Sequence, residues 1–151
     1  MPNSLPHSVE RDAHLALIQV HEVVSGQFRH LFHQAGLTEA QFNVLRILVQ
    51  GSPDGESCGT IASRLIHRVP DVTRLVDRMQ ENGLVQRCRS KEDRRVVRIC
   101  ITEEGRQKCE SLYQPLMQLN QSYLSVLTEK ETTELNRLLR LVLAQYQTDD
   151  R

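Results

Sequence analysis

VPDVTRLVDRMQENGLVQRCRSKEDRRVVRICITEEG, residues 69–105, reads as a short helix, a strand, a basic loop and a returning strand. Pro70 suits the first turn of a helix, where a missing N–H costs nothing. From there Val72, Leu75, Val76 and Met79 fall on one apolar stripe, and Asp71, Arg74, Asp77, Arg78 and Glu81 face the other way. Gly83 stands where a helix ends on a left-handed residue. Leu84–Arg89 and Val96–Ile101 are short and partly alternating, as strands are. Ser90-Lys91-Glu92-Asp93-Arg94-Arg95 between them has no apolar residue and reads as a solvated hairpin tip.

Charge is concentrated on the same stretch. The whole chain balances 19 basic against 19 acidic residues, which argues against indiscriminate binding to nucleic acid. From Arg64 to Arg98, however, ten basic residues face five acidic ones, a local excess of +5 that leaves the remainder at −5. A basic patch set into an acidic body is the footprint of a protein that docks phosphates through one face. A helix with a basic outer face followed by a basic hairpin is the winged form of helix-turn-helix. The expected partner is double-stranded DNA.

Working outward, the chain is mostly α, with that hairpin as its β structure. Val9 to Gln34 forms one long helix, crowded with Ala13, Ala16, Leu17, Val20, Val23, Val24, Phe28, Leu31 and Phe32 and ended by Gly36. Thr38-Glu39-Ala40-Gln41 is a capping box that opens a helix burying Phe42, Leu45, Leu48 and Val49. Gly51–Glu56 is a loop by composition, and Ser57 caps a short helix with Ile61, Ala62 and Leu65 inward. Thr102 caps a long helix carrying Cys109, Leu112, Leu116, Leu119, Tyr123 and Val126 near heptad spacing, and Thr128–Glu131 is a second capping box. The last helix runs to Tyr146 with Leu135, Leu138, Leu139, Val142 and Leu143 on one face.

A helix-turn-helix core needs about 60 to 80 residues, so the terminal helices are left with apolar stripes to bury. Covering them with a second copy makes a two-fold homodimer, whose paired reading helices suit half-sites of a near-palindromic operator. Residues 1–36 and 103–151 are therefore expected to dimerise and residues 37–102 to bind DNA. No apolar stretch reaches the length of a membrane span, and Met1–Pro6 lacks the plan of a signal peptide. A cytoplasmic address without membrane contact is expected.

Val72-Thr73-Arg74-Leu75-Val76-Asp77-Arg78-Met79, Asn82-Gly83-Leu84-Val85, Asp93-Arg94-Arg95 and Ile101-Thr102-Glu103-Glu104-Gly105 together resemble the MarR-type transcriptional regulators across nearly the whole chain. Asp93 and Arg95 match that family's wing signature, and Ile101-Thr102 stands in for its Leu-Thr. The resemblance implies that Pro70 to Asn82 enters the major groove, with Thr73 and Arg74 reaching base edges and Arg74 best suited to guanine. Asp71 either accepts from cytosine N4 or serves the helix N-terminus. Asp77 and Arg78 either touch phosphate or brace one another. Arg95 is the residue expected in the minor groove, Asp93 orients it or a neighbour, and Lys91 and Arg94 contact phosphate. Arg87, Arg89 and Arg98 contact phosphate or solubilise the strands. Arg68 lies in the turn before the reading helix, and Thr38 and Ser57 can lend helix N-termini to phosphate.

The resemblance further implies repression released by a small aromatic or phenolic ligand held between the dimer helices and the winged core. Phe28, Phe32, Arg46 and Tyr113 are the pocket candidates. Two alternatives stay open: a regulator that responds to oxidants through the wing cysteines, and a winged domain used for protein contact. Cys58, Cys88, Cys100 and Cys109 form no CxxC, and four reduced thiols are the default, although Cys88 and Cys100 flank the wing on opposed strands, where they could lie near enough to bridge. Family branches that sense oxidants use a cysteine in the first helix, and this chain has none before Cys58. His14 and His21 are seven apart and His30 and His33 three apart on the first helix; the second pair has the spacing to share a zinc ion, but surface or interface imidazoles are the expected reading, with no metal or cofactor. Phosphate loops, nucleophile elbows and zinc-hydrolase spacings are absent from the sequence, so no enzyme is expected.

Overall fold

Six of the helices open on a side chain that takes up an otherwise orphaned backbone N–H. Ser8 does so for α1 (Val9–Gln34), Thr38 for α2 (Glu39–Gln50) and Ser57 for α3 (Cys58–Arg64). Asp71 does the same for α4 (Val72–Glu81) and Thr102 for α5 (Glu103–Ser111). Each such cap is worth about 1 kcal/mol. Thr38 and Gln41 form the full capping box, with bonds of 2.8 and 3.2 Å. In this computed structural model, which describes residues 8–89 and 96–147, α6 (Tyr113–Leu124) and α7 (Glu129–Gln147) follow, and Thr128 and Glu131 form the second box.

One antiparallel hairpin pairs β1 (Val85–Arg89) with β2 (Val97–Ile101), in the register Val85↔Ile101 to Arg89↔Val97. Glu56 adds a single β-bridge to Ile99, so the root of the wing is gripped from a third side. The core centres on α2, where Val44, Leu45 and Ile47 are fully buried. Around them pack Ile61 of α3, Val76 and Met79 of α4, Leu84, Val85 and Ile99 of the wing, and Cys109 of α5.

Three expectations need correction. Pro70 precedes the N-cap Asp71 and so lies outside the helix, because the Asp71 carboxylate fills the capping position first. The long helix after Thr102 is two helices, interrupted at Leu112. Pro115 is the cause: it has no N–H to give the Ser111 carbonyl, and its ring crowds that carbonyl. Leu112 instead bonds back three residues, to Cys109, at 3.3 Å. Val126 consequently falls in the turn beyond α6 and is 85% exposed, and Ala62 faces solvent.

Backbone contacts divide the chain into two compact units, one up to Leu116 and one from Met117 onward. In the first, Leu15, Leu17, Ile18, Val20 and Val23 of α1 are exposed, and the helix joins the core near its end through Phe28, Leu31 and Phe32. In the second, Leu138, Leu141, Val142, Leu143 and Tyr146 of α7 are exposed. Among the described residues no helix is long and apolar enough to cross a membrane.

Gly105, in the first turn of α5, is pressed against the Leu84 carbonyl; a Cβ there would collide with that oxygen and lie 3.0 Å from its carbon. Helix propensity alone favours alanine over glycine by up to about 1 kcal/mol. The collision outweighs it, so Gly105→Ala is expected to destabilise the fold by about 1–3 kcal/mol in urea unfolding.

Candidate nucleic-acid interface

The reading helix α4 is held at both ends by its own sequence. Asp71 Oδ1 accepts the Arg74 N–H at 2.9 Å, so at least one of its oxygens serves the backbone. At the other end Asn82 is the C-cap and Gly83 has φ +71°. The Gly83 N–H donates to Gln80 O at 3.0 Å and the Leu84 N–H to Met79 O at 2.9 Å. That pair of bonds is the Schellman motif, and it stops the helix on the glycine. Between the ends, Val76 and Met79 are buried, Val72 and Leu75 half-buried, and Thr73, Arg74 and Arg78 exposed on the outer face.

Asp77, like Asp71, is already engaged. Asp77 Oδ1 pairs with Arg87 Nη2 of β1 at 2.8 Å, bracing the wing strand against the helix; Arg78 is not its partner. Neighbours one apart on a helix do not face each other, which leaves the strand arginine as the better partner. Arg98 also departs from the expected solvent-facing role. It is half-buried, its Nη1 donates to Gly55 O at 3.1 Å, and its buried Nε has no partner among the described residues. Arg68 is exposed in the turn that leads into α4, and Arg64 pairs with Glu56 at 3.5 Å. Lys91, Asp93, Arg94 and Arg95 lie outside the described residues.

Thr102 is the residue whose reach was not foreseen. Its hydroxyl donates to Gly83 O at 2.6 Å and accepts from the Gly105 N–H at 3.0 Å. One side chain thus joins the end of α4 to the start of α5.

The four candidate pocket residues pack rather than enclose space. Phe32 is buried and stacks on Phe42 with ring centroids 4.8 Å apart, and Phe28 lies 6.4 Å from Phe32. Arg46 bonds Asn43 and Gln50, and the Tyr113 hydroxyl sits 3.8 Å from the Cys109 sulfur. None of them lines a separate cavity of about 400 Å³, whose walls include Arg29, His33, Asn43, Leu65, His67 and Val69. Glu39 lies in the same wall and meets His67 Nε2 at 3.1 Å, linking α2 to the turn before α4. His30 bonds the Gln34 amide at 3.0 Å.

The expectation of four reduced thiols does not hold. Cys88 and Cys100 are joined, because the hairpin register puts them diagonally across its two strands with Cα atoms 6.2 Å apart. Cys58 and Cys109 are free.

Comparison with known proteins agrees with this geometry. The MarR family model matches residues 37–97. The HTH-type transcriptional repressor IacR of Pseudomonas putida is 33% identical over 133 residues, covering 87% of this chain and 78% of that protein. A MarR transcription factor from Planctomyces limnophilus is 35% identical, with a TM-score of 0.66 over 91% of this chain and 99% of that one. AbsC, a MarR family transcriptional regulator from Streptomyces coelicolor, shares the fold with a TM-score of 0.81 at 19% identity, covering 97% of this chain and 99% of that one.

Asp77 and Arg87 are both more than a third exposed, so solvent screens their attraction. A double-mutant cycle with Asp77→Ala and Arg87→Ala is expected to return a coupling of about 0.2–1 kcal/mol in denaturant unfolding, shrinking as salt rises.

Proposed function

The chain belongs to the MarR family, and from that premise we propose that it is a homodimeric, sequence-specific repressor that holds a near-palindromic operator and leaves it when a small ligand binds. The outer face of α4 carries this reading. Asp71 and Asp77 are taken up by a backbone N–H and by Arg87, while Arg74 and Arg78 stand exposed beside Thr73. Around Thr73 the face therefore offers phosphates and base edges two exposed arginines, with the two nearby aspartates engaged within the protein. Residues 37–102 read the DNA, with Arg74 on a guanine edge, Arg68 and Arg78 on phosphate, and Pro70 turning the chain into the helix. In the wing, Arg95 enters the minor groove with Asp93 orienting it, and Lys91 and Arg94 hold phosphate.

Residues 1–36 and 103–151 dimerise. Half-exposed Leu17, Val20, Leu141 and Val142 support this, since covering what remains exposed of each stabilises by about 1 kcal/mol.

For the ligand, Phe32 is committed to the core, and the 400 Å³ cavity offers more room. Arg29, His33 and His67 suit the carboxylate of an aromatic acid, and Leu37, Leu65 and Val69 suit its ring. A molecule there presses on residues 65–69, the segment that leads into α4. It shifts the dimer between DNA-competent and incompetent arrangements by no more than its difference in affinity for the two.

The test is binding to a duplex carrying the inverted repeat beside the protein's own gene, across several salt concentrations. Tight wild-type binding with a steep salt slope is expected, about 10-fold or more weaker in Arg74→Ala. Arg95→Ala is expected to lower affinity in the same assay. Flat salt dependence and no preference over random duplex would sink the reading. Separately, light scattering should give a dimer for the wild type and a shift toward monomer for Val20→Glu.

A further inference from the structure

One face of the hairpin carries Gln86 and Cys88 of β1 and Arg98 and Cys100 of β2, because Cys88 pairs with Arg98 and Gln86 with Cys100. The Cα separation of 6.2 Å between Cys88 and Cys100 lies within the span of a disulfide, and the two are bonded. This face turns toward the 52–56 loop. Both sulfurs lie against the Asp54 carbonyl oxygen, at 3.8 and 3.7 Å. Gly55, at φ +84°, lets the loop approach, since a Cβ there would stand 2.8 Å from the Cys100 sulfur and 2.5 Å from Ile99 O. The site suits both redox states: two thiols have a carbonyl to donate to, and a disulfide has the space. Arg98, directly across from Cys88, supplies a fixed positive charge on the same face.

We propose that Cys88 and Cys100 are a reversible dithiol–disulfide couple at the root of the wing, and that this couple sets how tightly the chain holds DNA. The inference rests on the DNA-binding reading above. Disulfides that form in a reducing compartment are commonly conditional ones.

With a hydroperoxide as oxidant, the Cys88 thiol loses its proton and the thiolate attacks the terminal peroxide oxygen. The O–O bond breaks, the alkoxide takes the proton and leaves as alcohol, and Cys88 carries the hydroxyl as a sulfenic acid. The Cys100 sulfur then displaces that hydroxyl, which leaves as water with the Cys100 proton. The two thiols have given two electrons to the peroxide, and a small dithiol returns them by exchange. The chemistry is the same if Cys100 attacks first and Cys88 resolves the sulfenic acid. Cys109 is unsuited to this role, because burial pushes its thiol up and keeps it protonated.

The link spans 12 positions and encloses Arg89, Lys91, Arg94 and Arg95, the basic run of the wing. Closing it ties β1 to β2 at the wing root, and Arg87 braces β1 against Asp77 of α4, so the oxidised form holds helix and wing root in one arrangement and is the tighter binder.

The wild-type protein, reduced by dithiothreitol or oxidised by cumene hydroperoxide, is denatured, alkylated and weighed, and the same samples are titrated with the inverted-repeat duplex. Oxidation is expected to lower the alkyl count from four to two, with the linked pair mapping to Cys88 and Cys100, and to tighten binding by about 10-fold, both reversed by dithiothreitol. Cys88→Ser and Cys100→Ser should bind like the reduced wild type whether or not peroxide is added. Absence of the link overturns the proposal, as does a link that leaves binding unchanged or weaker. If neither form prefers the duplex to random DNA, the regulator reading falls and the coupling to DNA falls with it. The masses still report whether the couple exists, so the two failures are distinguishable.

Discussion

Leu84 holds the reading head together through its backbone. Its N–H closes the C-terminal turn of α4 on Met79, and its carbonyl accepts the Thr102 N–H at 3.2 Å. The side chain is buried in the core, and Gly105 lies against the carbonyl. The end of the reading helix, the ends of both wing strands and the start of α5 therefore meet within a few residues. Thr102 repeats the tie with its hydroxyl on Gly83. Hydrogen bonds of this kind are individually worth about 1 kcal/mol, but several that share two adjacent residues leave little freedom in the angle between helix and wing.

Electrostatics on this scaffold are local. A chain with equal numbers of acids and bases has no net charge to draw a polyanion, so the potential of each surface depends on where the acids go. Asp71 is spent on a backbone N–H and Asp77 on Arg87. These pairings serve the fold and at the same time unmask Arg74 and Arg78. Arg98 goes the other way: its charge is drawn inward to the 52–56 loop and removed from the outer surface.

What was legible in the sequence was what is decided within a few residues. Ser57, Thr38, Thr102 and the Gly83 stop act on their own neighbours, and the structure has them where the pattern places them. The break at Leu112 was equally local, since Pro115 is in plain view, but apolar spacing continues through it and conceals the lost hydrogen bond. The partners of Asp77 and Arg98 were not legible, because each lies on a different element brought in by tertiary packing. The stacking of Phe32 on Phe42 was not legible either, because it depends on how α1 packs on α2. The proximity of Cys88 and Cys100 needed only the hairpin register, but their bonding did not follow from sequence.

The bridge between Glu56 and Ile99 has a kinetic consequence. Beside it, Arg98 reaches Gly55 across 43 residues, and α3, α4, β1 and the start of β2 all lie inside that span. Most other contacts of the reading head join elements consecutive in the chain, and these form cheaply and early. Closing the long span costs loop entropy before its contacts reward it, a cost that grows with the logarithm of the enclosed length. Docking of the wing root onto the 52–56 segment thus closes one of the longer spans of this region, after the contacts between consecutive elements have formed.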